Sequence, residues 1–170
     1  MSLSMYSASV PVLKQMLSAL SEVLAKAEAH ATEKKIEPAA LLGARLFPDM
    51  FPLVRQVQIA ADFAKGISSR LSNTEVPSWP DNPEAGFAEL QELIARTLAH
   101  VDSFSPGQFE GSDSREIVLR AGTPKEKKLQ GDVYLLQYGL PQFFFHVTTS
   151  YAILRHNGVE IGKRDYMGTP

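Results

Sequence analysis

In the stretch FFFHVTTSYAILRHNG, residues 143–158, His146 follows three phenylalanines and His156 follows ten residues later. An imidazole in such a setting can ligate a metal, act as a general base, or sit at the core edge bonded to a neighbouring helix. The chain has four histidines, His30, His100, His146 and His156. His30 and His100 fall near the ends of predicted helices and are expected to face water. His156 lies close to a helix end, toward solvent or a partner subunit. The sequence contains no HExxH, HxxxH or CxxC pattern and no cysteine. Local zinc spacings, thiolate nucleophiles and disulfides are thereby excluded. No Ser/His/Asp arrangement can be assembled from spacing, and GTPKEKK lacks the pattern of a phosphate-binding loop.

The side chains that meet His146 depend on the helices that carry it. Val133, Leu136, Leu140, Phe144, Val147, Tyr151 and Leu154 form one apolar stripe with helical spacing. Asp132 is the expected N-cap and Gly158 the stop, and Pro141 predicts a kink. His146 lies about 100° from Val147 on this wheel, on the flank of the buried face with Phe143, Ser150, Ile153 and Asn157. Candidate partners come from an earlier helix, whose buried line is Leu53, Val57, Ala60, Ala64, Ile67 and Leu71. Relative to that line Gln56 is about 60° off centre, whereas Gln58 and Asp62 are more than about 120° off. Gln56 is therefore expected to point inward, and Gln58 and Asp62 to point to water or another subunit. Glu84 and Glu89 are further carboxylate candidates, and Glu84 better suits a helix's first turn.

The remaining elements follow from the same periodicity. A first helix is predicted from about Met5 to Ala31, with Val10, Leu13, Leu17, Leu20, Leu24 and Ala27 inward. PAALLGARLF adds a turn or two, and Pro52 enters the first turn of the second helix. The proline-rich stretch SNTEVPSWPDNPEAG is a loop, with Trp79 capping an end of the core. A third helix spans about Glu84 to Ser103. REIVLR reads as a short strand that returns through Lys127–Gln130. The tail VEIGKRDYMGTP is expected to run extended along the surface. The result is a mainly all-α single domain over residues 1–170: an up-down four-helix bundle with a small β-hairpin before its last helix.

Totals agree with this. The net charge is −2, with 44% apolar and 21% charged residues. No basic stripe suggests nucleic acid, and no apolar run approaches the ~20 residues of a membrane span. The start has no basic segment or continuous apolar core, so it is not read as a secretory signal, and the cytoplasm is the default location.

MSLSMYSASVPV, FPLVRQVQIAADFAKG, FAELQELIARTLAHVDS and LPQFFFHVTTSYAILRHNGVEIGKRDYMG together resemble the DUF1993 proteins, in order and over nearly the whole chain. That family resembles a distant branch of the DinB/YfiT-like four-helix bundles, many of which are thought to be metal-dependent. The resemblance implies a site with one histidine on the second helix and an HxxxH pair on the fourth. His146 matches the first of that pair, Ser150 stands at the second position, and Gln58 aligns with the second-helix histidine, or Gln56 if the alignment is offset by two. Two of three imidazoles are thus replaced by weak neutral donors, so no cofactor is expected, and any divalent metal would be held weakly, through His146. The expected site has His146 as its reactive group and Gln56, Gln58, Asp62, Ser150 and Trp79 around it, taking a small molecule. The other expectation is a non-catalytic bundle that dimerises or binds a protein through the aromatic run YGLPQFFF, and the resemblance favours a homodimer.

Overall fold

The computed structural model describes residues 3–170. Its long helices are α1 (Val10–Lys34), α3 (Leu53–Leu71), α4 (Phe87–Asp102) and α6 (Leu140–His156). Short elements join them: α2 (Pro38–Leu42), a 3₁₀ turn (Pro106–Phe109), the strands β1 (Glu116–Leu119) and β2 (Lys127–Gln130), the one-turn α5 (Gly131–Val133) and, at the end, α7 (Lys163–Met167). The chain is mainly helical with one small antiparallel sheet, in which Glu116 pairs with Gln130 and Leu119 with Lys127. No helix among the described residues is long and apolar enough to cross a membrane.

Helix α3 is central. It packs most extensively on α6 and also on α4, while α1 packs on α4 and α6. Ala60, Ala61, Ala64, Gly66, Ser68 and Ser69 are all buried on α3, and their small side chains let neighbours approach from more than one side. The buried line of α1 is the predicted one, but the helix starts at Val10. Residues 5–9 form turns instead, in which Ser9 Oγ donates to the Met5 carbonyl at 2.6 Å. Helix α4 likewise starts at Phe87, and Glu84 lies exposed in the preceding turn, its backbone N–H bonded to Asn82 Oδ1.

The last helix departs from the predicted unbroken stripe. Between α5 and α6 the chain forms a π-helical stretch, Tyr134–Gly139. Its wider hydrogen-bond spacing advances the face presented by each later residue, so one α-helical wheel cannot describe both halves. Tyr134 and Leu135 are buried in place of Leu136, which is 56% exposed. Downstream, Phe143, His146, Ser150 and Ile153 are buried together with Val147 and Leu154, while Phe144 and Tyr151 are half-buried. The predicted flank of the helix is thus part of its core face. The π stretch ends immediately before Pro141, which lies in the first turn of α6, where it has no N–H to donate. Asp132 is not an N-cap: it lies within α5, and Gln130 precedes that helix.

The tail is also more ordered than expected. Val159 and Ile161 are buried, and α7 packs on α1, where Gln15 Nε2 donates to the Met167 carbonyl at 2.8 Å and Lys26 pairs with Asp165 at 2.5 Å.

Gly139 sets the approach of the π stretch to α3. A Cβ there would lie 2.8 Å from Ile67 Cγ1, inside van der Waals contact. Gly139→Ala should destabilise the fold by about 1–3 kcal/mol, the usual range for overpacking a core. Gly107→Ala, where a Cβ meets nothing within 4 Å, is the comparison. Urea midpoints measure both, and equal midpoints would contradict the close approach.

Candidate functional site

Gln56 and Gln58 are two positions apart on α3, so their side chains leave it about 200° apart. Helix α3 is covered on both sides, and both glutamines are buried. Gln56 faces α6 and Gln58 faces the loop before α4.

On the α6 side, His146 is 8% exposed, and its Nδ1 lies 2.7 Å from Gln56 Oε1. The Gln56 amide nitrogen donates to the Phe51 carbonyl at 3.1 Å, which leaves its oxygen as acceptor. Nδ1 of His146 therefore carries the proton and Nε2 carries the lone pair. No protein group among the described residues bonds Nε2. Gln58 Oε1 is the one fully buried unpaired polar side-chain atom among them, so Nε2 keeps an edge to solvent. Phe63 stacks on the ring at 5.9 Å between centroids, and Phe145 meets it edge-on at 5.1 Å. Desolvation first, and then the charge of Arg55, push the imidazole pKa below its ordinary value, so it is neutral at pH 7.

Ser150 is fully buried, and its hydroxyl donates to the His146 carbonyl at 2.8 Å. This back-bond turns it into its own helix rather than toward the imidazole. Of five well-formed surface clefts, none is lined by His146 or Gln56.

Gln58 belongs to a different neighbourhood, and its predicted exposure is wrong. It is 2% exposed, and its amide nitrogen donates to the Asn82 carbonyl at 2.7 Å. The proline-rich loop folds over α3 there and covers a position that periodicity along α3 assigned to solvent. Asp62 is on the same side, partly exposed, and pairs with buried Lys65 at 2.9 Å. Lys65 and Arg96 both lie over the Trp79 ring, at 4.7 and 5.1 Å from its centroid. His100, expected to face water, meets Trp79 edge-on and lies 2.8 Å from the buried Ser69 hydroxyl. Its pKa is lowered, chiefly by burial and then by Lys65. The loop that carries Trp79 covers His100, and nothing in the spacing of α4 alone signals this. The residues expected to form one site are therefore divided: His146, Gln56 and Ser150 at the α3–α6 seam, and Gln58, Asp62 and Trp79 at the α3–α4 seam. Glu84 is exposed and Glu89 accepts from Asn82 Nδ2 at 2.7 Å, so neither serves His146.

Residues 5–167 match the family described as Domain of unknown function (DUF1993). The chain belongs to the DUF1993 family. A solved structure with this fold is a DinB family member protein from Shewanella denitrificans, 39% identical, with a TM-score of 0.90 over 97% of this chain and 92% of that one. No curated protein matches the chain.

The donors present in this DUF1993 chain do not fit a three-ligand metal centre. Gln58, one of the two glutamines that the resemblance offered for the second-helix histidine, faces the loop carbonyl of Asn82 and not His146. Ser150 is committed to its own helix, and Gln56 holds Nδ1. Among the described residues no group of three or more His, Cys, Asp or Glu side chains is arranged to hold a metal ion.

The two lowered histidine pKa values make stability depend on pH. Both groups titrate near 6.5 when unfolded and lower when folded. Below pH 6.5 the unfolded chain binds more protons, so the stabilisation is full above that value and is lost as pH falls toward the folded pKa values. The melting temperature should fall from pH 7 to pH 5, with a smaller slope in the double variant His100→Gln/His146→Gln. Asp165, whose carboxyl is held low first by Lys26, acts in a separate window below its ordinary 3.8. An unchanged slope between pH 5 and 7 in the double variant would contradict the assignment.

Proposed function

We propose that this DUF1993 bundle binds a small molecule at the α3–α6 seam through Nε2 of His146, without the three-ligand metal centre of related bundles. The observation that carries the reading is the Gln56 hydrogen bond, which holds the proton on Nδ1 and turns a neutral lone pair toward the solvent-touched edge of the ring. A carboxylate in place of Gln56 would stabilise an imidazolium and favour proton abstraction. A neutral amide fixes the tautomer without that charge, which suits accepting a hydrogen bond more than catalysing proton transfer. Phe63 and Phe145 supply apolar contacts on either side. The ligand class is a small, partly apolar molecule with an O–H or N–H donor.

A ligand-observed NMR screen of a fragment set tests this. Donor-bearing fragments should bind the wild-type protein and be lost with His146→Phe. Gln56→Leu, which frees the tautomer, should weaken them roughly 3- to 10-fold, the worth of one hydrogen bond. Hits unaffected by His146→Phe, or none at all, would overturn the reading. Stoichiometric zinc or nickel retained by the purified protein and lost on His146→Ala would overturn its metal-free part.

A second reading, a dimerising or protein-binding bundle, is favoured by the outward position of Leu136 and of Phe145, which is 53% exposed. On that reading light scattering gives a dimer mass that Phe145→Ser reduces to the monomer. A monomer at high concentration would contradict the homodimer.

A further inference from the structure

The proline-rich loop, residues 73–86, rests on α3 and α4 with little apolar anchorage. Of its residues only Ala85 is buried, and Val76, Pro77, Trp79 and Gly86 are half-buried. Its ties are largely polar. Asp81 pairs with Arg55, the Asn82 carbonyl accepts from Gln58, and Lys65 and Arg96 lie over the Trp79 ring. A segment with so few buried apolar contacts belongs to the low end of local stability.

Ser69 joins the root of this loop to His100. Its carbonyl accepts from the Thr74 N–H at 2.9 Å and from the Ser72 hydroxyl at 3.0 Å. Its own buried hydroxyl lies 2.8 Å from His100 Nε2 and has no other partner among the described residues. The hydroxyl therefore donates and Nε2 accepts, so the contact requires a neutral imidazole. The ring also meets Trp79 edge-on at 5.9 Å and Phe104 at 5.0 Å. The charges around it are positive: Lys65 from α3, paired with Asp62, and Arg96 one turn earlier on α4, both directed at the same indole. No carboxylate among the described residues bonds or pairs with His100. A second ring proton would set a donor at Nε2 against a donor, strand the Ser69 hydroxyl and add a third positive charge beside the indole.

We propose that His100 is a proton-operated latch for this loop: protonation of its ring breaks the Ser69 contact and lets the Trp79 segment lift from α3 and α4, uncovering Gln58, Lys65 and Ser69. Burial and then Lys65 lower the pKa of the closed ring, and in the lifted state it returns toward 6.5. The latch is therefore fully held above pH 6.5 and weakens as pH falls toward the closed-state value. Each pH unit between the two values raises the ratio of open to closed loop by about tenfold. The latch does not depend on the His146 reading, which concerns the other side of α3.

Trp79 is the chain's only tryptophan, so its fluorescence reports on the loop. An imidazolium by itself dims a neighbouring indole, so the readouts are the emission maximum and acrylamide quenching, not intensity. The full chain is titrated from about pH 8 to about pH 5, across the range in which histidine changes charge, with circular dichroism following helix content. The expected result is a shift to longer wavelength and a severalfold rise in quenching below pH 6.5 at constant helix content. The midpoint should match that of the His100 ring resonances in NMR. His100→Gln, which keeps an acceptor for Ser69 and does not titrate here, should hold Trp79 in its closed environment throughout. His146→Gln should leave the transition in place. Should His100→Gln fail to fold, the matching of the two midpoints in the wild-type protein carries the test. Four results would overturn the proposal: an emission maximum and quenching that do not change with pH; a change that appears only with loss of helix; a Trp79 midpoint different from that of His100; or a transition that persists in folded His100→Gln.

Discussion

Helix α3 is buried on two sides, and much of the rest follows from that constraint. A helix packed between α4 and α6 must present small residues to both, and Ala60, Ala61, Ala64 and Gly66 do so. Gly139 continues the same fit from the opposing segment, where it passes against Ile67. The buried polar residues of α3 cannot reach bulk water and must be satisfied within the protein. Ser68 bonds back to the Ala64 carbonyl, Ser69 meets His100, Gln56 meets His146, and Lys65 pairs with Asp62 beneath Trp79. Gln58 is the residue for which this accounting does not close.

The two histidines at these seams, His146 buried and His100 half-buried, have lowered pKa values for the same first reason, the loss of water around the ring. Their surroundings differ in what they leave available. His100 gives Nε2 to a fully buried serine hydroxyl, under a loop whose indole is itself covered by two cations. That arrangement ties the proline-rich loop to the helices. His146 uses only Nδ1 and keeps Nε2 unbonded at an aromatic edge.

The chain belongs to DUF1993 and shares its fold with a DinB family structure. Gln58 and Ser150, the positions at which the resemblance implied imidazoles, are both engaged locally. Serine at 150 folds onto its own helix, and glutamine at 58 is drawn to the loop carbonyl of Asn82. Each finds a local partner, and neither is left directed at a common centre with His146.

Much of this was legible in the chain. Periodicity located the long helices, the Glu116–Leu119 and Lys127–Gln130 hairpin and the inward turn of Gln56, because burial on one face leaves a repeating apolar pattern. Other features required the tertiary structure. The π stretch at Tyr134–Gly139 changed which face of α6 is core, an effect of backbone hydrogen-bond spacing that side-chain pattern does not encode. Gln58 was buried and His100 half-buried by a loop with no periodicity of its own, packing over positions that their helices alone would expose. A single helix's pattern records only the burial that repeats along it, whereas the cover supplied by an irregular segment is decided by where the whole chain brings that segment to rest.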